Sequence, residues 1–101
     1  MTTNPHIISL AEAATMTHAY QNAPQFQGLT IASMIDNNSY QQVMIQPGCE
    51  GIRTYFALNS SNKLTIVVIG VDSFGNDMTN GIILDRAYDI PLKNSVNSEL
   101  M

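Results

Sequence analysis

Arg53 and Tyr55 are the residues whose types and spacing most readily suggest binding chemistry. They lie two positions apart in the segment GIRTYFAL (51–58), so an extended strand places both side chains on one face. A guanidinium beside an aromatic ring can hold a carboxylate or a phosphate. The alternative, which we favour, is an ordinary cross-strand ion pair with an acid such as Asp85, or an arginine stem that lies over apolar surface.

Cys49 is the third candidate for a ligand site. A nucleophilic cysteine needs a helix N-terminus, a cation or a histidine to lower its pKa. Cys49 instead follows the C-terminal end of a predicted helix and precedes Glu50, and both features oppose the thiolate. His6 and His18 are distant in sequence and add no support. We therefore predict that Cys49 is a small apolar residue between helix and strand, and we assign no catalytic residue.

The acidic turn DSFGND (72–77) is the segment closest to a metal-binding loop. It has phenylalanine at the third position and glycine at the fourth, unlike the calcium loop of an EF-hand. His6, His18 and Cys49 show no short ligand spacing. The sequence therefore predicts no metal site, and it contains no cofactor signature.

Two strands and two turns must position these residues. Alternation predicts strands at 51–58 and 63–71, joined by the turn 59–62 into a hairpin, with Ile52, Phe56 and Leu58 on the half-buried face of the first strand. Gly75 can adopt the positive φ that a second turn needs. A third strand at 81–86 then completes an antiparallel meander.

The N-terminal half supplies the helices that cover this sheet. Ser9 and Glu12 form a capping box for a helix at 9–22, which Pro24 ends, and a shorter helix is predicted at 38–46. A strand at 28–35 between them gives the order α-β-α-β-β-β. The sequence thus predicts an α+β fold with two helices packed on a mainly antiparallel sheet of three or four strands. Residues 1–101 form a single small domain, with a C-terminal tail at 88–101.

Charge and hydropathy exclude several classes of partner. The net charge is −4, and the four bases are too few to neutralise a run of phosphates, so nucleic acid is not expected. The apolar run 64–71 is too short to span a membrane, and the N-terminus lacks the features of a signal peptide. Together with the single cysteine, this predicts a cytoplasmic protein, although a secreted mature form would have the same features.

Two elements carry a resemblance to a known group of proteins. The element Q-P-G-C-x-G-I-R (residues 46–53) and the turn G-x-D-x-x-G-N-D (residues 70–77) resemble a family of small uncharacterised proteins from Bacteroidetes. The resemblance covers most of the chain. It implies no activity, because none is established for that family.

Two functions remain open from the sequence. We favour a non-enzymatic protein-interaction or self-associating module, because 45% apolar and 12% charged residues leave few charges to guard the edges of an open sheet. This interpretation predicts a homodimer to which the tail contributes. The alternative is a small-ligand-binding protein or enzyme with a pocket near Arg53, Tyr55 and Cys49.

Overall fold

A computed structural model describes residues 4–90 and 98–101 of the chain. Within these residues the α+β class is confirmed. The elements, in chain order, are α1 (Leu10–Asn22), a 3₁₀ turn (Pro24–Phe26), β1 (Ala32–Met34), α2 (Asn37–Met44), β2 (Gly51–Leu58), β3 (Leu64–Val71), β4 (Ile83–Leu84) and β5 (Tyr88–Ile90).

The predicted hairpin is confirmed with nearly its predicted bounds. β2 and β3 pair antiparallel along their full length, with Arg53 opposite Ile69. In the connecting turn, the Asn59 side-chain oxygen accepts hydrogen bonds from the backbone N–H groups of Ser61 at 2.9 Å and Lys63 at 3.0 Å. Asn62 has a φ of 62°, a conformation that asparagine tolerates better than most residues.

The second turn is also confirmed. The Asp72 carboxylate accepts from the N–H groups of Phe74 at 2.9 Å and Asn76 at 3.0 Å, and Gly75 has a φ of 82°. β4 then pairs with β3 over two residues only, whereas 81–86 was predicted. The strand is short because the N–H of Ile82 donates to the Gln46 side chain and Arg86 has a positive φ of 54°.

A second, two-stranded sheet forms from β1 and β5, which pair antiparallel with Ser33 opposite Asp89. The predicted strand at 28–35 is therefore shorter and does not join the meander, and the predicted tail begins with a strand. One Asp89 oxygen accepts from the hydroxyls of Ser33 and Thr65, which ties the two sheets together. The rest of the predicted tail, 91–97, lies outside the described residues.

Both helices begin at capped residues. Ser9 caps α1 and accepts from the N–H of Glu12 at 3.0 Å, as the sequence predicts. In α2 the cap is Asp36, which accepts from the N–H of Ser39 at 3.1 Å, so this helix starts and ends slightly earlier than predicted. None of the helices among the described residues has the length and apolar character needed to cross a bilayer.

The core lies where α2 meets β3. Val43 of α2 and Val68 of β3 are fully buried there, and Ile69, on the opposite face of β3, is 5% exposed. Gln46, which follows α2, joins helix and sheet, since its Nε2 donates to the Val43 carbonyl at 2.9 Å and its Oε1 accepts from Ile82 at 2.8 Å.

The prediction that one face of β2 is half buried is wrong. Phe56 is 81% exposed and Leu58 is 65% exposed. Their register partners on β3 are Ile66 and Leu64, which lie beyond the part of the sheet where Val68 is buried. The apolar face therefore continues past its buried end.

Candidate functional site

The structure brings Arg53 and Tyr55 together around Asp77. Arg53 Nη1 donates to Asp77 Oδ1 at 2.6 Å, and the Tyr55 hydroxyl donates to Asp77 Oδ2. Both guanidinium Nη atoms also lie 3.3 Å from the Gly75 carbonyl oxygen, which accepts from them. The Asp77 carboxylate thus uses both of its oxygens to join β2 to the turn that follows β3.

Two elements place these three side chains on one face. Arg53 and Tyr55 alternate along β2, and Asp77 pairs with Val71 across the second turn. Ile69 lies opposite Arg53 in the register and is 5% exposed, so this polar cluster shares its face of the sheet with a buried apolar residue.

Arg53 and Asp77 each stabilise the charged form of the other. The hydrogen bond from Tyr55 and the ion pair with Arg53 hold the pKa of Asp77 below its ordinary value. The hydrogen bond to Asp77 raises the pKa of Arg53. The side chains are 43% and 22% exposed for Arg53 and Asp77, so solvent screens much of the attraction.

This arrangement leaves few hydrogen-bonding positions on Arg53 for a ligand. Asp77 occupies the place beside the guanidinium where the carboxylate of a ligand would bind, and a ligand would have to displace it. Arg53 does form an ion pair, but its acid is Asp77 in the turn after β3 rather than a residue such as Asp85 on a paired strand.

Sequence reasoning missed Asp77, although a signal for it existed. With Asn59 and Lys63 closing the first turn, the register sets Gly51 opposite Val71, and a tight turn around Gly75 returns Asp77 opposite Val71. Register partners share a face of the sheet, so Asp77 lies on the face of Arg53. Deriving the strand register from both turns together would have placed Asp77 on the same face as Arg53.

Cys49 lies on the other face of the sheet from this cluster. Its Sγ donates to the Gly51 carbonyl at 3.3 Å, and a Cβ built at Gly70 would approach it to 3.1 Å. Gly70 faces the same side as Val68, where α2 packs. The structure therefore does not bring Cys49 together with Arg53 and Tyr55, and it places the half-buried thiol at a packing contact between loop and sheet.

The outer edge of β2 is the second feature of this region. β2 lies at the end of the three-stranded sheet, and the described residues include no strand on its other side. The Asn59 N–H donates to Lys63, so the odd-numbered residues of β2 face β3 and the backbone groups of Ile52, Thr54, Phe56 and Leu58 point outward. Within residues 4–90 and 98–101, this edge therefore combines backbone groups that no strand pairs with and exposed apolar side chains.

An apolar groove adjoins the face of the sheet that carries Phe56 and Ile66. It has a volume of about 640 Å³ and lies between the 3₁₀ turn, the residues leading into β1, and the hairpin. Phe56 and Ile66 line one side, and Phe26, stacked on Tyr20 with ring centroids 5.1 Å apart, lines the other. The groove extends the exposed apolar surface of β2 toward the N-terminal half.

Among residues 4–90 and 98–101, no three histidine, cysteine or acidic side chains lie close enough together to hold a metal ion. Comparison of the chain with protein-family models, curated proteins and solved structures finds no match.

Proposed function

We propose that the protein is a non-enzymatic interaction module that associates with a second copy of itself. The observation that carries this proposal is the exposure of apolar side chains along β2, where Phe56 and Leu58 are largely open to solvent. A contiguous exposed apolar surface is typical of a protein–protein contact. Within the described residues, the fully buried side chains are only Val43 and Val68, so the core of one subunit is small.

The alternative function, ligand binding at Arg53, Tyr55 and Cys49, has weaker support. Asp77 already occupies the donors of Arg53 and Tyr55, and Cys49 lies on the opposite face of the sheet. The end of the tail also gives no support for an interface of its own, because the Leu100 carbonyl accepts from Gln21 of α1 in the same chain at 2.8 Å. We therefore assign the proposed self-association to the exposed surface of β2.

Light scattering coupled to size-exclusion chromatography tests the proposal. We expect a mass of twice 11.1 kDa at micromolar concentration. A double variant, Phe56→Ser with Leu58→Ser, removes the exposed apolar side chains and should elute as a monomer with an unchanged circular dichroism spectrum. A wild-type protein that is monomeric up to high micromolar concentration would exclude self-association as its function.

A further inference from the structure

We propose that the outer edge of β2 pairs antiparallel with β2 of a second copy, which joins two three-stranded sheets into one of six strands. This inference rests on the proposed function and specifies its surface and geometry. The strand order across the dimer is β4-β3-β2 followed by β2-β3-β4 of the partner subunit. A two-fold axis relates the two halves, so one surface serves both subunits.

The edge of β2 has the properties of a strand that accepts another strand. It is eight residues long and contains no proline. A long, apolar, unprotected edge is a template for strand addition, and soluble proteins normally guard such edges with lysine, proline, bulges or a covering element. Arg53 is the only charged side chain in β2, and Asp77 neutralises it on one face of the sheet. Two copies can therefore approach along this edge without bringing like charges together.

The alternation of backbone groups selects the register. Only Ile52, Thr54, Phe56 and Leu58 present outward N–H and C=O groups, so these residues must face each other across the axis. A two-fold axis at Tyr55 pairs all four of them within β2. It sets Ile52 opposite Leu58 of the partner subunit and Thr54 opposite Phe56 of the partner subunit.

This register also suits the other face of the sheet. Tyr55 lies opposite Tyr55 of the partner subunit, and aromatic cross-strand pairs stabilise antiparallel sheets. Arg53 lies opposite Ala57 of the partner subunit, so the two guanidinium groups are separated. On the face that carries Ile52, Phe56 and Leu58, the exposed side chains of Phe56 and Leu58 gain neighbours from the second copy.

The first test removes one outward N–H group. Thr54→Pro deletes a donor that the β2–β3 ladder does not use, and proline is tolerated on an edge strand when its position faces solvent. We expect this variant to show the mass of one chain, with unchanged circular dichroism. Thr54→Val is the matched control, because it keeps the N–H and the branched shape, and it should remain a dimer.

The second test fixes the register by cross-linking. In a Cys49→Ser background, Tyr55→Cys places two thiols opposite each other at the axis, in a non-hydrogen-bonded pair whose short Cβ separation suits a disulfide. Mild oxidation should give a covalent dimer on a non-reducing gel. Ala57→Cys on the same face is the control, and it should cross-link at least ten times more slowly, because its copy lies several residues away.

The outcomes separate this inference from the proposed function. A folded Thr54→Pro variant that stays dimeric would overturn edge pairing and leave self-association through another surface. Equal cross-linking of Tyr55→Cys and Ala57→Cys would overturn the register. A monomeric wild-type protein would overturn both the inference and the proposed function.

Discussion

β2 and β3 are neighbouring strands of equal length and similar apolar content, yet they have opposite relations to solvent. β3 contains Thr65, Val68 and Ile69, all buried, whereas every residue of β2 except Ala57 is exposed. β3 pairs with β2 along its full length and with β4 at Val68 and Ile69, whereas β2 pairs with β3 alone among the described strands. α2 contacts both strands. The position of a strand in the sheet, rather than its apolar pattern, decides its burial.

The largest expected effect comes from the buried strand. Val68→Ala removes apolar volume from a fully buried site, so we expect it to lower the free energy of unfolding by about 2 kcal/mol. Urea denaturation followed by circular dichroism measures this. Thr54→Ala, at the position opposite Val68 in β2, is the control and should change stability much less. Comparable losses from the two variants would show that β2 and β3 are equally buried.

The turn that follows β3 gives the next effect. Gly75 has a φ of 82°, so Gly75→Val should destabilise the protein by roughly 1 kcal/mol or more through backbone strain. Gly51→Val is the matched control in β2, because a Cβ there meets no atom within 4 Å and its φ is not positive. Thermal unfolding of both variants measures the difference. A melting temperature unchanged in Gly75→Val would show that the turn does not hold β3 in place.

Phe56→Ser has a smaller expected effect in the isolated subunit. Because Phe56 is 81% exposed, its loss should change the stability of a dilute monomer by no more than about 0.5 kcal/mol. At high protein concentration the wild type should gain stability from dimerisation and the variant should not. Unfolding curves at two concentrations a hundredfold apart measure this. A large loss at low concentration would mean that Phe56 packs within its own subunit.

The pH dependence of Asp77 gives the smallest effect. Its pKa is lower in the folded protein than the ordinary value of about 3.9 in the unfolded chain. The stabilisation from the Tyr55 and Arg53 contacts is therefore fully present above pH 4, and it is lost as the pH falls through the folded pKa. Asp77→Asn should be less stable than wild type at pH 6, and the difference should shrink toward pH 2. A constant difference across this range would argue against the ion pair.

Local signals in the sequence predicted the features that depend on neighbouring residues. The Ser9 cap, the hairpin at β2 and β3, and the positive φ of Gly75 each follow from a short segment, because turn and cap geometry restrict a few residues at a time. The α+β class follows from their order.

Features that depend on distant partners were not predicted. The pairing of β1 with β5 joins segments more than fifty residues apart, and nothing in either short strand specifies the other. The partnership of Arg53 with Asp77 needs two turn geometries to be known together. The exposure of β2 goes with its position at the edge of the three-stranded sheet, which alternation alone does not reveal.

The Gln46 side chain implies an order of events during acid unfolding. An amide is neutral at every pH, so the link from α2 to β4 through Val43 and Ile82 is unaffected by acid. The link between β2 and the turn at Gly75 contains a carboxylate that acid protonates. We therefore expect acid to weaken the Asp77 contacts of the hairpin and the Asp36 cap of α2, while the Gln46 link between Val43 and Ile82 is retained.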